Sequence, residues 1–286
     1  MTTRSAVARL AVEPQPFGRS LRAWREARKR SQLDLALDAN VSQRHLSFLE
    51  SGRAQPSREM VLQLAEALDV PLRERNLLLG AAGFAPLYQE RSLDDSAMAA
   101  VRQALDLTLK HHDPFPALVV NRSWEIVMQN EGASRFLALL GDPDEVWSRV
   151  DPAGGRNVMR LTFHPSGMQP LIRNWEQVAT PLLSRLQREV TADPANTKLS
   201  AVFEEIVAYQ GIPARWRNAA WVSPPLPILP LRLGMGELNL EVFTMISTFG
   251  TAQDITADEL RVETFFPADD FTARFLRDLA PTKEAG

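Results

Sequence analysis

Two short apolar-periodic runs joined by a polar break, SQLDLALDANVSQRHLSFLESG at residues 31–52, constrain this chain more than any other stretch. Ser31 precedes Leu33, Leu35 and Ala36 and suits the start of a helix. Ala36 is small enough for two helices to cross closely. Asp38-Ala39-Asn40 ends the run, and Asn tolerates the left-handed backbone of a sharp helix exit. Val41 anchors the turn. Ser42 supplies a second N-cap, and Leu46 and Leu49 face inward from a helix over 42–51. Gly52 closes that helix and Pro56 stops its continuation. Without the inward residues, Gln43, Arg44, Ser47, Phe48 and Ser51 remain on the outer face, weighted to the N-terminal end. A recognition helix enters a major groove by that end. Gln pairs bidentately with adenine and Arg with guanine, and Phe suits a thymine methyl. Gln43, Arg44, Ser47 and Phe48 are therefore the expected base readers.

The flanking sequence completes a five-helix domain. FGRSLRAWREARK (17–29) has Phe17, Leu21 and Trp24 at helical spacing, MVLQLAEALDV (60–70) is amphipathic, and LRERNLLLGAAG (72–83) ends in a glycine stop. Charge follows the same division. Residues 1–85 carry 13 basic and 9 acidic side chains, the remainder 19 and 26, so a net charge of −3 hides a basic end and an acidic body. Arg19, Arg22, Arg28, Lys29, Arg30, Arg53 and Arg58 are candidate phosphate contacts, which position a reader without specifying sequence.

Residues 17–80 resemble the phage-repressor-like, or XRE/Cro, helix-turn-helix family. The resemblance rests on Gln32 and Gln43, the small Ala36, LSFLESG and Pro56. It implies that Gln32 holds a phosphate, that Gln43 reads a base, and that Arg25 pairs with Glu50 as scaffold. The expected phosphate set is then Gln32, Ser42, Arg28, Arg53 and Arg58. The chain departs from the family at Asn40, where Gly is commoner.

A chain of 286 residues leaves room for one or two further domains, and its 45% apolar content argues that the rest folds. No apolar run approaches the roughly 20 residues of a membrane span, and MTTRSAVARLAVEPQP is too polar for a secretory signal. A cytoplasmic address is expected. The absence of cysteine excludes disulfides, thiolate metal sites and Fe–S clusters. There is no Gly-rich phosphate loop, GxSxG or HExxH, and His45, His111, His112 and His164 contain no helical metal-ligand pair. The expectation is a non-enzyme without metal or cofactor. The expected organisation is an N-terminal arm (1–16), the DNA-binding domain (17–83), a linker (84–95), a second domain (96–280) and a tail (281–286).

In the second domain a helical pattern over 95–112 is broken by DPFP. ALVVNRSWEIVMQNEGASRFLAL then reads as strand, tight turn at Asn121-Arg122-Ser123, strand and helix. Helical stretches follow at 168–190 and 194–210, then strands in LPILPLRLGMG, ELNLEVFTMISTFG and ELRVETFF. This predicts an α+β layer, an antiparallel sheet with helices on one face. The opening resembles a PAS-like sensor. Residues 95–280 resemble the MmyB-like ligand-binding domain, on ALVVNRSWEIVMQNEGASRFL, NVMRLTFHPSG, Asn174-Trp175-Glu176 and IPARW. That resemblance implies a PAS-like fold holding a small, largely apolar effector, with fatty-acid or acyl compounds leading. Trp124, Ile126, Met128 and Asn130 share a strand face by period two, and Phe243, Met245 and Thr248 come from a late strand. Asn157, Arg160, His164 and Trp175 are polar candidates, Arg160 as counter-ion for a carboxylate. The expected pocket is Trp124, Met128, Asn130, Asn157, Arg160, His164, Trp175, Phe243 and Met245. The overall expectation is a regulator of a double-stranded DNA operator, homodimeric and away from membranes, whose affinity responds to that effector. The alternative is a reader joined to an antitoxin-like or polymerase-contacting interaction module.

Overall fold

The computed structural model describes residues 16–193, 195–212, 228 and 230–280. The expectations for most of the N-terminal arm, for all but the first residue of IPARW, for part of LPILP and for the tail lie outside these residues. The chain divides into two compact units. One comprises residues up to Arg91 together with Thr251–Asp258, and the other comprises Ser92–Gly250 with the residues from Glu259 onward.

The first unit holds five helices: α1 (Phe17–Ala27), α2 (Gln32–Asp38), α3 (Gln43–Glu50), α4 (Arg58–Ala67) and α5 (Leu72–Ala81). Serine begins three of them. The Ser31, Ser42 and Ser57 hydroxyls accept from the amides of Asp34, His45 and Met60, and Asp34 returns the bond to complete a capping box. Asn40 turns the chain between α2 and α3 at φ +46°, as its side chain allows. Leu21, Leu35, Leu46, Leu49, Val61, Leu64 and Leu79 fill the centre. Leu33 is 51% exposed and stands outside it. Gly18 permits a close approach of α1 to the end of α3: a Cβ there would lie 2.4 Å from the Leu49 carbonyl oxygen.

The segment Thr251–Asp258 belongs to the same unit although it lies far along the chain. Buried Asp254 accepts from the Arg91 guanidinium at 2.9 Å, and the Ile255 amide donates to the Gln89 carbonyl at 2.8 Å. Asp258 accepts from the Leu72 amide at 3.1 Å. That bond supplies α5 with the N-terminal partner that Pro71 lacks.

The second unit runs α6 (Ala99–His112), β1 (Ala117–Val120), β2 (Ile126–Gln129), α7 (Glu131–Ala138), α8 (Pro143–Val150), α9 (Val158–Phe163), α10 (Trp175–Ala192), α11 (Thr197–Ala208), β3 (Leu231–Met235), β4 (Leu238–Ser247), α12 (Ile255–Glu259, shared with the segment above), β5 (Arg261–Pro267) and α13 (Asp270–Asp278). The strands form one antiparallel sheet in the order β2-β1-β5-β4-β3, so the last strand lies in the middle. Period two on β1 sorts the packing. Leu118 and Val120 join Met159, Phe163, Ala179, Leu183 and Leu199 on one face. Ala117 and Val119 join Leu105 and Leu109 of α6 with Val262 on the other. Helices therefore cover both faces, and the single-sided layer is corrected at α6. The helix expected over 168–190 starts later, at Trp175, because residues 172–174 hold the sheet. The Arg173 amide donates to the Arg232 carbonyl at 2.8 Å, and the Asn174 side chain donates to the Pro230 carbonyl at 2.7 Å.

Candidate DNA interface and ligand cavity

The exposed face of α3 begins at its capped N-terminus, where Gln43 and Arg44 stand in solvent beside half-buried Ser47 and Phe48. Phe48 is flanked by two cations, with the guanidinium carbons of Arg44 and Arg53 at 5.4 and 5.7 Å from its ring centroid. One predicted base reader and one predicted phosphate contact are thus steadied by another base reader. Behind them Arg25 grips Glu50 through two bonds of 2.6 and 3.0 Å, nearly out of solvent. The pair ties α1 to the C-terminal end of α3. The Gln32 amide also donates to Glu50, at 2.9 Å, and the Ser42 hydroxyl oxygen accepts the capping bond from the His45 amide, which leaves its own proton to donate. Arg58 is half-buried at the first turn of α4.

Arg28 departs from expectation. Its Nε and Nη2 donate to the Leu68 and Asp69 carbonyls, each at 2.9 Å, and it stacks on Trp24. It satisfies the C-terminal end of α4, where unpaired carbonyls and the helix dipole attract a cation. Two of its three nitrogens are thus turned to protein carbonyls.

In the second unit a cavity of about 490 Å³ lies against the sheet, within the roughly 300–1,000 Å³ of small-molecule sites. Leu118, Ile126, Ile246 and Phe265 form its sheet wall. Phe136 and Leu137 of α7, Met159 and Leu161 of α9, and Val178, Pro181 and Leu182 of α10 form the opposite wall. Its polar residues include Arg185 and Arg188 of α10, Thr244 of β4 and Glu263 of β5.

Trp124 joins the walls to the polar residues. It closes the β1–β2 turn at φ +65°, a conformation this position of a hairpin usually reserves for Gly and which costs a bulky residue about 1–2 kcal/mol. The Asn121 side chain fixes the turn by accepting from the Ser123 and Glu125 amides. The indole is 1% exposed and donates to Glu189 at 2.7 Å. Arg185 and Arg261 lie over its ring at 4.8 and 5.1 Å, and both donate to the other Glu189 oxygen.

Of the nine residues expected in the pocket, Trp124 lines this cavity and the others lie elsewhere. Met128 is on the opposite face, because the register steps from Val120↔Ile126 to Val119↔Met128. One extra residue, Val127, makes a bulge that reverses the alternation. Asn130 caps α7 and binds the Ala117 amide and the Phe115 carbonyl. Asn157, fully buried, caps α9 and donates to the Ser123 carbonyl at 2.7 Å. Arg160 is paired with Asp151 at 3.0 Å and Glu205 at 2.9 Å, so it has no free face for a carboxylate ligand. Glu205 also holds the Tyr209 phenol, which burial first and this carboxylate second push up. His164 accepts from the Ser166 amide and meets Tyr209 edge-on. Trp175 packs edge-on against Phe163, and its indole nitrogen is buried without a partner among the described residues. Phe243 stacks on Phe266, and Met245 is 54% exposed. On β4 the cavity side is the even one, Thr244 and Ile246.

Sequence reasoning missed Arg185, Arg188, Thr244 and Glu263. One signal was available: Val178, Pro181, Leu182, Arg185 and Arg188 repeat every three or four residues, an apolar helical stripe that runs into cations. Among the described residues no helix is long and apolar enough to cross a membrane, and no three His, Asp or Glu gather as for a metal ion.

Residues 21–75 match the helix-turn-helix family model, and residues 101–279 match the MmyB-like transcription regulator ligand binding domain. No curated protein matches the chain. Among solved structures, an RNA-binding light-oxygen-voltage receptor is similar at 12% identity and a TM-score of 0.26. The alignment covers 92% of this chain and 61% of that one. The chain thus spans less than two thirds of that receptor's length.

Proposed function

Because the chain belongs to the family of MmyB-like transcription regulators, we propose that its cavity takes a fatty-acid or other acyl compound whose binding changes operator affinity. By both family matches this is a DNA-binding transcription regulator with a ligand-binding domain. The observation that carries the acyl reading is the cavity's composition, with apolar walls on both sides and two arginines one helical turn apart on α10. Apolar walls favour an alkyl chain, and guanidinium groups favour a carboxylate. Gln43, Arg44, Ser47 and Phe48 read bases, while Arg53, Arg58, Gln32 and Ser42 set the register on phosphates. The protein acts as a homodimer on half-sites about one helical turn apart.

Native mass spectrometry of the full chain with a medium-chain acid tests the ligand and the oligomeric state together. A retained acyl mass on a dimer, and an operator affinity that moves with added dodecanoic acid, are expected. A protein that holds no acyl compound, and whose operator affinity ignores the acid, overturns the reading. In that case the second unit is better sought as a protein-interaction module.

A further inference from the structure

We infer that Glu263 and Arg188 together recognise the head group of a carboxylate ligand, Glu263 by donating its carboxyl proton in a hydrogen bond and Arg188 by meeting the charge. The inference rests on the acyl reading above. Glu263 sits on the middle strand of the sheet, between Leu118 on β1 and Ile246 on β4. An acid there is out of place in an apolar wall. Its side chain lines the cavity, while its Oε2 is buried and has no hydrogen-bond partner among the described residues. Thr244 bonds the carboxyl, but a buried carboxylate with one oxygen unmatched is still costly, so the group either holds a proton or awaits company.

The charged groups around it decide which company fits. Arg185 and Arg188 face the cavity from α10, and Arg261 stands two residues earlier on the same strand. β1 and β4 contribute Leu118, Thr244 and Ile246, none of them charged. α7 and α9 contribute apolar side chains and Thr162. Arg185 and Arg261 are committed to Glu189 and to the faces of Trp124. Arg188 is exposed and has no ion pair or hydrogen bond among the described residues. The site is therefore net positive even with Glu189 included. It repels an ammonium head group and accepts an anion. Burial pushes the Glu263 carboxyl up to about 7, with Thr244 and Arg185 opposing only in part. An arriving carboxylate raises it further and so takes up a proton.

Calorimetric titration of the full chain with dodecanoic acid at pH 6, 7 and 8.5 tests this. Wild-type affinity should fall about tenfold per pH unit above 7, with uptake of up to one proton per ligand. Glu263→Gln keeps a donor and should bind with the same affinity at all three values. Glu263→Leu should bind about tenfold more weakly than Glu263→Gln at pH 6. Arg188→Ala should weaken binding at every pH and keep the slope. Wild-type binding that is independent of pH, or dodecylamine binding more tightly than the acid, overturns the assignment of Glu263. The pH-independent result leaves the acyl reading standing. If neither wild type nor the two Glu263 variants bind dodecanoic acid at any pH, the acyl reading fails and takes this inference with it.

Discussion

Three arginines of the reader share a charge and differ in what their donors already touch, and this separates their expected effects. Arg44 stands at the entry end of α3, so Arg44→Ala should cost about 1–3 kcal/mol at one operator position and relax base preference there. Arg53 lies beyond α3 with its guanidinium over Phe48. Arg53→Ala should weaken all sequences alike and lower the salt slope by about one. Arg28 caps α4, so Arg28→Ala should lower the reader's unfolding temperature and leave the salt slope unchanged. Binding to a randomised site library at several salt concentrations checks all three, and a uniform loss in Arg44→Ala would remove it from the base readers. Glu263 gives a residue-scale prediction for pH. Its folded-state value, about 7, lies above the ordinary 4.5. Between those values the folded protein binds more protons than the unfolded chain, so stability falls as pH rises through the window and the whole penalty is present above it. Glu263→Gln should therefore unfold later than wild type at pH 8, by on the order of 2 kcal/mol, and the gap should close towards pH 4.5. A gap of equal size at both pH values would show that the carboxyl is not destabilised by its surroundings.

At the scale of elements, local chemistry was legible and long-range company was not. The caps at Ser31 and Ser42, the left-handed Asn40 and the inward Leu46 and Leu49 each follow from a few adjacent residues, and the structure has all of them, with a third serine cap at Ser57 besides. The Arg25–Glu50 pair was reached through family resemblance and is present. The cavity was mostly misplaced, for reasons that lie outside any local window. A single bulged residue turned Met128 away while its neighbour Ile126 kept its face. Asn130, Asn157 and Arg160 looked free because their partners, such as Phe115, Ser123 and Glu205, are set by tertiary packing. Glu263 reads as a solvated strand residue until β5 is known to lie mid-sheet. Gly18 shows the same limit in the reader. By propensity Gly18→Ala should stabilise α1 by about 1 kcal/mol. The added methyl would sit 2.4 Å from the Leu49 oxygen and 2.7 Å from that of Glu50, both backbone atoms that cannot swing aside. Overpacking of this kind costs about 1–3 kcal/mol and should win. Thermal unfolding of the variant should show a destabilised reader, and operator affinity should fall because the displaced element is α3. An increase in melting temperature would mean that α1 and α3 can part at no cost.

At the scale of the molecule, the chain leaves the ligand sheet at the end of β4, runs through Thr251–Asp258, which is part of the reader unit, and returns as β5. The strands on either side of this excursion carry Thr244, Ile246, Glu263 and Phe265 of the cavity wall. Within the reader unit the excursion holds the first amide of α5 through Asp258 and residues 89–91 through Asp254, Ile255 and Thr256. The crossing is covalently continuous with β4 and β5 and meets the start of α5 through the Asp258–Leu72 hydrogen bond. Regulation needs a coupling free energy between cavity and DNA, and that coupling is reciprocal. Substituting both Asp254 and Asp258 with Ala removes two anchors that touch neither the cavity wall nor the exposed face of α3. Dodecanoic acid should still bind the double variant, and the unliganded variant should still bind operator, each within a few-fold of wild type. The factor by which the acid changes operator affinity should fall towards one, and the factor by which operator changes acid affinity should fall equally. Measuring both factors in both proteins makes the test internally consistent, since unequal factors would expose a fault in the titrations. If the double variant retained the full wild-type factor in both directions, Thr251–Asp258 would be a passive crossing and the coupling would have to run through the chain between Arg91 and α6.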